Sequence, residues 1–240
     1  MKKWLALIGL LILAVILYNL DLAKIASILV GINLGFFALG VVLDLGSAVL
    51  KAKKWQVLVN VEQRVLTFWR AVEYFFSGFF LSILTPGRVG DLARALYLKR
   101  ETNNLGESLS TVILDRLIDV VLLFSLGFVA IVSFTAIFGK EIMPIELLFG
   151  LSALLVIFGL LILKKNFIGF FLKPFFNAFV PEKFKESLKM TFDGFYGFFG
   201  KIRAHPKRLA GASAIGLFTW FMAFFSSYLF ILALGIEIEF

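Results

Sequence analysis

Long apolar runs separated by short charged clusters set the pattern of this chain. A transmembrane helix needs about 20 mostly apolar residues. Runs of that kind predict spans over 4–20, 33–50, 108–138, 145–163 and 208–234. Between the first two, 21–31 is short and mixed, and predicts an interfacial helix. Lys51, Lys53, Lys54 and Arg64 then read as a basic connector.

The pattern changes at 68–84. This stretch carries Arg70 and Glu73 early, and its continuous apolar part, 74–84, is too short to span. Pro86-Gly87 stops it, because proline lacks the N–H and pushes its predecessor out of the α region. Gly87 and Gly90 admit backbone conformations or close approaches that other residues resist. The chain resumes over 90–98 and ends in Lys99-Arg100. Short arms between basic flanks predict a re-entrant, broken-helix hairpin over about 68–100, entering and leaving on one side; a true span is the competing reading. Broken helix at membrane depth is tolerated only where protein or water surrounds it.

Loop charges support re-entrance. With the N-terminus in the cytoplasm, Lys2, Lys3, Lys51, Lys53, Lys54, Arg64, Arg70, Lys99, Arg100, Lys164 and Lys165 all fall inside. Only Lys24 and Lys140 fall outside, beside Asp21, Glu141, Glu146, Glu237 and Glu239. The positive-inside rule then holds at every loop, and a crossing hairpin would break it. The segment 166–207 is Phe-rich but regularly charged, with Phe192, Phe195, Phe198 and Phe199 at helical spacing. It predicts an amphipathic cytoplasmic helix on the membrane surface. Gly194, Gly197 and Gly200 mark a close-packing face or occur by chance. Trp4, Trp55, Trp69 and Trp220 lie near span ends, as interfacial anchors do.

Composition agrees. The chain is 60% hydrophobic with 30 phenylalanines, and its mean hydropathy is +0.96. The fold class is therefore an all-α polytopic membrane protein of about five spans. Its net charge of +8 concerns loops and anionic lipid rather than nucleic acid. Without cysteine and with His205 as the sole histidine, thiolate and multi-histidine metal sites are excluded. No nucleotide loop or catalytic triad appears, so no cofactor, metal or catalytic residue is assigned. His205, before Pro206, reads as interfacial. Met1-Lys2-Lys3 and the apolar run after it lack a clear small-x-small cleavage site, so a retained first helix is the better reading.

Charges inside apolar segments are the candidate chemistry. They are Asp44, Arg88, Asp91, Arg94, Asp115, Arg116 and Asp119. Each costs roughly 2.5–3.5 kcal/mol at a helix centre on insertion scales, so they should be paired. Asp91 with Arg94, and Arg116 with Asp119, are i,i+3 neighbours within reach. Asp115 and Asp119 share a face, and Asp44 comes from another helix. The expected result is a polar cluster where the hairpin docks on the 108–138 helix. It is either an internal salt-bridge lock or a site where an arginine holds an anionic head group, since guanidinium pairs with phosphate in a bidentate way. Arg88 at the break is the leading candidate, because helix N–H groups near Gly90 add positive partial charge. Asp44 has its own alternative as a helix-packing hydrogen bond.

Thr85-Pro86-Gly87-Arg88-Val89-Gly90-Asp91-Leu92-Ala93-Arg94, followed by Ile113-Leu114-Asp115-Arg116-Leu117-Ile118-Asp119, resembles the lysylphosphatidylglycerol synthase transmembrane-region family of flippase-like proteins. Members typically show Pro-Gly-Arg-x-Gly-Glu-x-x-Arg and later Glu/Asp-Arg-x-x-Asp. Asp91 stands where glutamate is usual. Members usually continue with further spans and a second Pro/Gly-rich motif bearing glutamate, so 1–240 reads as a single flippase-like domain, shortened at its C-terminus.

The resemblance implies a multi-pass protein of the prokaryotic cell membrane that translocates an anionic lipid or a polyprenyl-phosphate-linked carrier. Arg88, Arg94 and Arg116 would hold the head group. Asp44, Asp91, Asp115 and Asp119 would support them, and Pro86, Gly87 and Gly90 would form the break. Membrane lipids are the expected partners, with a transferase or a second copy as further candidates. The alternative is a membrane-embedded enzyme or a non-catalytic accessory subunit in modification of lipids or lipid-linked glycans.

Overall fold

Helix-breaking residues and short polar connectors divide the chain into helices. The computed structural model describes residues 20–85, 90–139 and 182–236, together with isolated positions within 9–18 and 144–157. In chain order the helices are α1 (Leu22–Val30), α2 (Leu34–Val59), α3 (Phe68–Leu84), α4 (Ala93–Thr102), α5 (Leu105–Phe138), α6 (Glu182–Ala204) and α7 (Pro206–Ala233). All regular structure among the described residues is helical. The expected spans over 4–20 and 145–163 lie largely outside those residues.

Among the described residues three helices are long and apolar enough to cross a membrane: α2, α5 and α7. At 1.5 Å per residue, the 26 residues of α2 reach about 39 Å, beyond a hydrocarbon core of about 30 Å. The helix does not end at Leu50 but carries Lys51, Lys53 and Lys54 of the expected basic connector on two further turns, with Arg64 beyond its end. By the same measure the 17 residues of α3 reach about 25 Å, and the 10 of α4 about 15 Å.

Contacts divide the chain into two compact units, 1–45 with 222–240, and 46–221. In the first, the start of α2 runs antiparallel to the end of α7. Asn33 donates its backbone N–H to the Ala233 carbonyl at 2.9 Å, and the Ser226 hydroxyl donates to the Gly40 carbonyl at 3.0 Å. The Phe230 ring fills the space a Gly40 side chain would occupy.

In the second unit α3 and α4 form the expected hairpin. The Thr85 hydroxyl donates to the Leu81 carbonyl and accepts from the Gly90 N–H, at 2.9 and 2.8 Å, so one side chain ties both arms. Gly90 lies so close to the α3 backbone at Leu81 and Ser82 that a Cβ there would collide with it. Further along, Tyr74 stacks on Tyr97, and Glu101 accepts from the Tyr74 hydroxyl and Arg70. Asn103, left-handed at φ 55°, ends α4, and Asn104 caps α5 by accepting from the Glu107 N–H.

The described part of the amphipathic segment, α6, packs on protein through its aromatic face. Phe198, Phe199 and Ile202 are buried in one core with Leu58, Leu114, Ile118 and Ala212. Gly106 lets the α5 and α6 backbones meet at Thr191, and Gly194 makes room for Asn104; Gly197 and Gly200 face open space. The lower part of α5 is thus enclosed. Its upper part presents Val121, Phe124, Val129, Phe134 and Ile137 bare, the apolar surface a bilayer would cover.

Candidate functional site

The polar stretch at the start of α5 is where the hairpin docks. Asp115 and Asp119, one turn apart, project from one face of α5. Opposite them the helical end of α2 brings Lys54, and α4 brings Arg94. Asp115 bridges the two: its Oδ2 accepts from Arg94 Nη2 at 2.7 Å, and its Oδ1 lies 2.9 Å from Lys54 Nζ. The Lys54 contact to Oδ1 lacks hydrogen-bond alignment. The aligned donations of Lys54 go to Asp119 Oδ1 at 2.5 Å and to the Asp115 carbonyl at 3.3 Å. The side chains of Lys54, Arg94 and Asp115 are at most 1% exposed.

Aromatic faces complete the enclosure. The Arg94 guanidinium carbon lies 5.1 Å from the Trp55 ring centre and 5.3 Å from that of Phe75, within cation–π range. Trp55 is held in turn by its Nε1–H donating to Thr111 Oγ1 at 3.1 Å. Gly78 lets α3 approach Arg94, whose Cβ lies 3.3 Å from where a side chain at Gly78 would begin.

Nearer the surface, Arg116 Nη2 pairs with Asp91 Oδ2 at 2.5 Å, and Nη1 lies 3.9 Å from Asp119 Oδ2. Arg116 is 38% exposed. Lys51, partly buried, lies within electrostatic reach of the cluster. The six groups carry three positive and three negative charges and balance without Arg88 or Asp44. This matters because taking an ion out of water costs several kcal/mol, which close partners must offset.

The expected docking of the hairpin on α5 is present, but the pairing differs. Asp91 and Arg94 do not bond each other. Asp91 sits in the 3-10 turn over 90–92 that leads into α4, and it reaches across to Arg116. Arg94 points the other way, to Asp115. Both pairs join separate elements, whereas Arg116–Asp119 within α5 is the loose one. Arg94, expected to hold a head group, is wholly buried in this arrangement. Asp44 is exposed and belongs to the other unit. Pro86, Gly87 and Arg88 lie outside the described residues; Gly90 is placed and packs as stated.

Two residues that the sequence reading set aside belong to the cluster. Lys54 is fully buried, and Trp55, taken for an interfacial anchor, is fully buried as well. A signal for both was present. Continued as a helix past Leu50, positions 52, 55, 58 and 59 form one apolar stripe, and position 54 borders it. Trp69, by contrast, is 77% exposed, as an anchor would be.

Helices of this length and apolarity, with charges neutralised pairwise inside the protein, define an integral membrane protein of the all-α class. The chain belongs to the lysylphosphatidylglycerol synthase transmembrane-region family, whose model matches residues 4–240. It is also similar to a protein of Pyrococcus horikoshii named UPF0104 membrane protein, at 23% identity over 260 residues, covering all of this chain and 77% of that one. No solved structure matches it.

Proposed function

We propose that the chain binds the anionic head group of a lipid, or of a polyprenyl-phosphate carrier, at the junction of hairpin and α5, and moves it across the cell membrane. The observation that supports this best is Arg116. It stands partly exposed at the edge of the cluster, shares one carboxylate contact with Asp91, and keeps a buried Nε–H without a hydrogen bond among the described residues. A guanidinium with donors to spare is suited to a phosphate. Arg88, which lies between Thr85 and Gly90 in the sequence, is assigned as the second base, and the carboxylates of the cluster are already committed to Lys54, Arg94 and Arg116. Arg94 then acts as an internal counter-ion that fixes Asp115. The basic loops orient the N-terminus and the hairpin toward the cytoplasm.

The test is transbilayer movement of a fluorescent phosphatidylglycerol analogue in proteoliposomes, with Arg88→Ala and Arg116→Ala compared with the unaltered protein. Both variants should lose binding and movement while keeping their helical content. Normal movement in both would overturn the proposal. Cysteines at positions 99 and 140 should label from opposite faces of the membrane; labelling from one face would overturn the orientation.

A further inference from the structure

Lys53 and Lys54 are consecutive on α2, so their side chains diverge by about 100° around the helix. Lys54 enters the ion cluster. Lys53 is exposed and lines a separate pocket of about 350 Å³, with Gln56, Glu62, Arg64, Phe68 and Arg208 also on its wall. The wall is fixed by hydrogen bonds. Asn60 accepts from the N–H groups of Val65 and Leu66 at 2.9 and 2.8 Å, and Asn60 and Gln56 both donate to the Leu66 carbonyl. Lys53 donates to Gln56 Oε1 at 2.9 Å, and its ammonium lies 5.7 Å from the Phe68 ring centre.

The charges of the pocket do not balance. Lys53, Arg64 and Arg208 face one carboxylate, Glu62, which is itself 3.3 Å from Lys201. Arg64 and Arg208 are exposed and form no ion pair among the described residues. Arg208 also sits in the first turn of α7, which holds no acid. A base at the positive end of a helix is unfavourable unless an anion is near. This fixed surround with an excess of cations contrasts with the six balanced charges of the cluster beside it.

We propose that this pocket is a second anion site, which takes the phosphate of a phosphate-bearing ligand through Arg64, Arg208 and Lys53. It goes beyond the head-group site at the hairpin and does not depend on it. Its volume, at the small end of ligand pockets, suits a phosphoglycerol-sized group. Phe68 and Val57 supply an apolar edge on which the glycerol backbone of a lipid could rest.

The test uses the full chain in phosphatidylcholine nanodiscs, titrated calorimetrically with water-soluble dihexanoyl phosphatidylglycerol and, separately, with inorganic phosphate. Arg64→Gln/Arg208→Gln should weaken binding at one site about tenfold or more, since it removes two charge-assisted contacts. Arg116→Gln should leave that site intact. Loss of both ligands in the double variant assigns the site to phosphate from any source, and loss of the lipid alone where phosphate never bound assigns it to the lipid; either supports the pocket. Unchanged titrations in the double variant, or no binding to the unaltered protein, overturn it. Loss confined to Arg116→Gln overturns it while leaving the hairpin site standing. Lys53→Gln, with a smaller weakening, gives the same reading should the double variant fail to fold.

Discussion

Replacing Asp115 by asparagine keeps the volume and removes the charge on which two cations depend. Lys54 would retain Asp119 at 2.5 Å. Among the described residues Arg94 would retain only the Trp55 and Phe75 ring faces, because its Nε and Nη1 have no hydrogen bond there and its Nη2 bond is to Asp115. Removing one partner of a buried ion pair costs about 3–5 kcal/mol, chiefly because the other charge is stranded. In a protein of this size that lowers the melting temperature by roughly 6–20 °C. Arg94→Met should cost less, since Asp115 keeps Lys54 2.9 Å away. The double variant Arg94→Met/Asp115→Asn should be more stable than Asp115→Asn alone, because no stranded guanidinium remains. Thermal unfolding in one fixed detergent, followed by circular dichroism, measures all three variants. Were the double variant no more stable than Asp115→Asn, or Arg94→Met the worse single change, the stranded-charge reasoning would fail.

Three further outcomes are expected. Lys54→Met should destabilise by about 1–3 kcal/mol, since Asp119 keeps only the looser Arg116 contact at 3.9 Å while Asp115 keeps Arg94, whereas Lys53→Met should stay within about 0.5 kcal/mol; equal effects on melting would remove the distinction between the two lysines. Gly106→Ala should cost about 1–3 kcal/mol by driving α5 from the α6 backbone at Thr191, while Gly127→Ala, which meets open space, should be neutral or stabilising by up to about 1 kcal/mol; the two melting temperatures should diverge. The hydrogen bond from Lys201 to Glu107 at 2.8 Å holds the Lys201 ammonium above the usual lysine pKa, with Glu62 adding to it. A group raised in the folded state stabilises fully below its unfolded pKa and loses that contribution as pH rises through the folded value. Stability should therefore fall above about pH 10.5, and Lys201→Met should flatten that fall in melting temperature against pH.

The docking of a broken helix on α5 was legible because two charged motifs in apolar surroundings must find each other. The partners within the cluster were less so. Pairing Asp91 with Arg94 assumed that the helix starts at Gly90. In the structure a 3-10 turn over 90–92 leads into α4 at Ala93, and partners on α5 take both side chains, Arg116 pairing with Asp91 and Asp115 with Arg94. Lys54 was hidden by its company: between Lys51, Lys53 and Arg64 it looked like one more loop base, and only the persistence of α2 to Val59 places it inside. The Phe-rich face of α6 had the period of a membrane-surface helix. Amphipathicity alone does not say whether the apolar side meets lipid or protein, and Gly106, the residue that settles it for this segment, lies far away in the sequence.

Burial divides the cluster into two kinds of contact, and the division bears on how a head group could be released. The Arg94–Asp115–Lys54 set is dry and costly to break, so it holds α2, α4 and α5 in register whether or not a ligand is present. In the Arg116–Asp91 pair only the arginine is open to water, at 38% against 10% for Asp91, so this contact is the more exchangeable of the two kinds. An arriving phosphate would, on the proposed function, compete with Asp91 for Arg116, and Asp91, being buried, would favour reclaiming the arginine as the phosphate leaves. On the proposed function, the inner set supplies a rigid frame and the outer pair an exchangeable contact. Asp91→Asn should then strengthen phosphatidylglycerol binding by freeing Arg116 from its competitor, yet slow transbilayer movement by delaying release. Tighter binding with undiminished movement would argue that Asp91 takes no part in release.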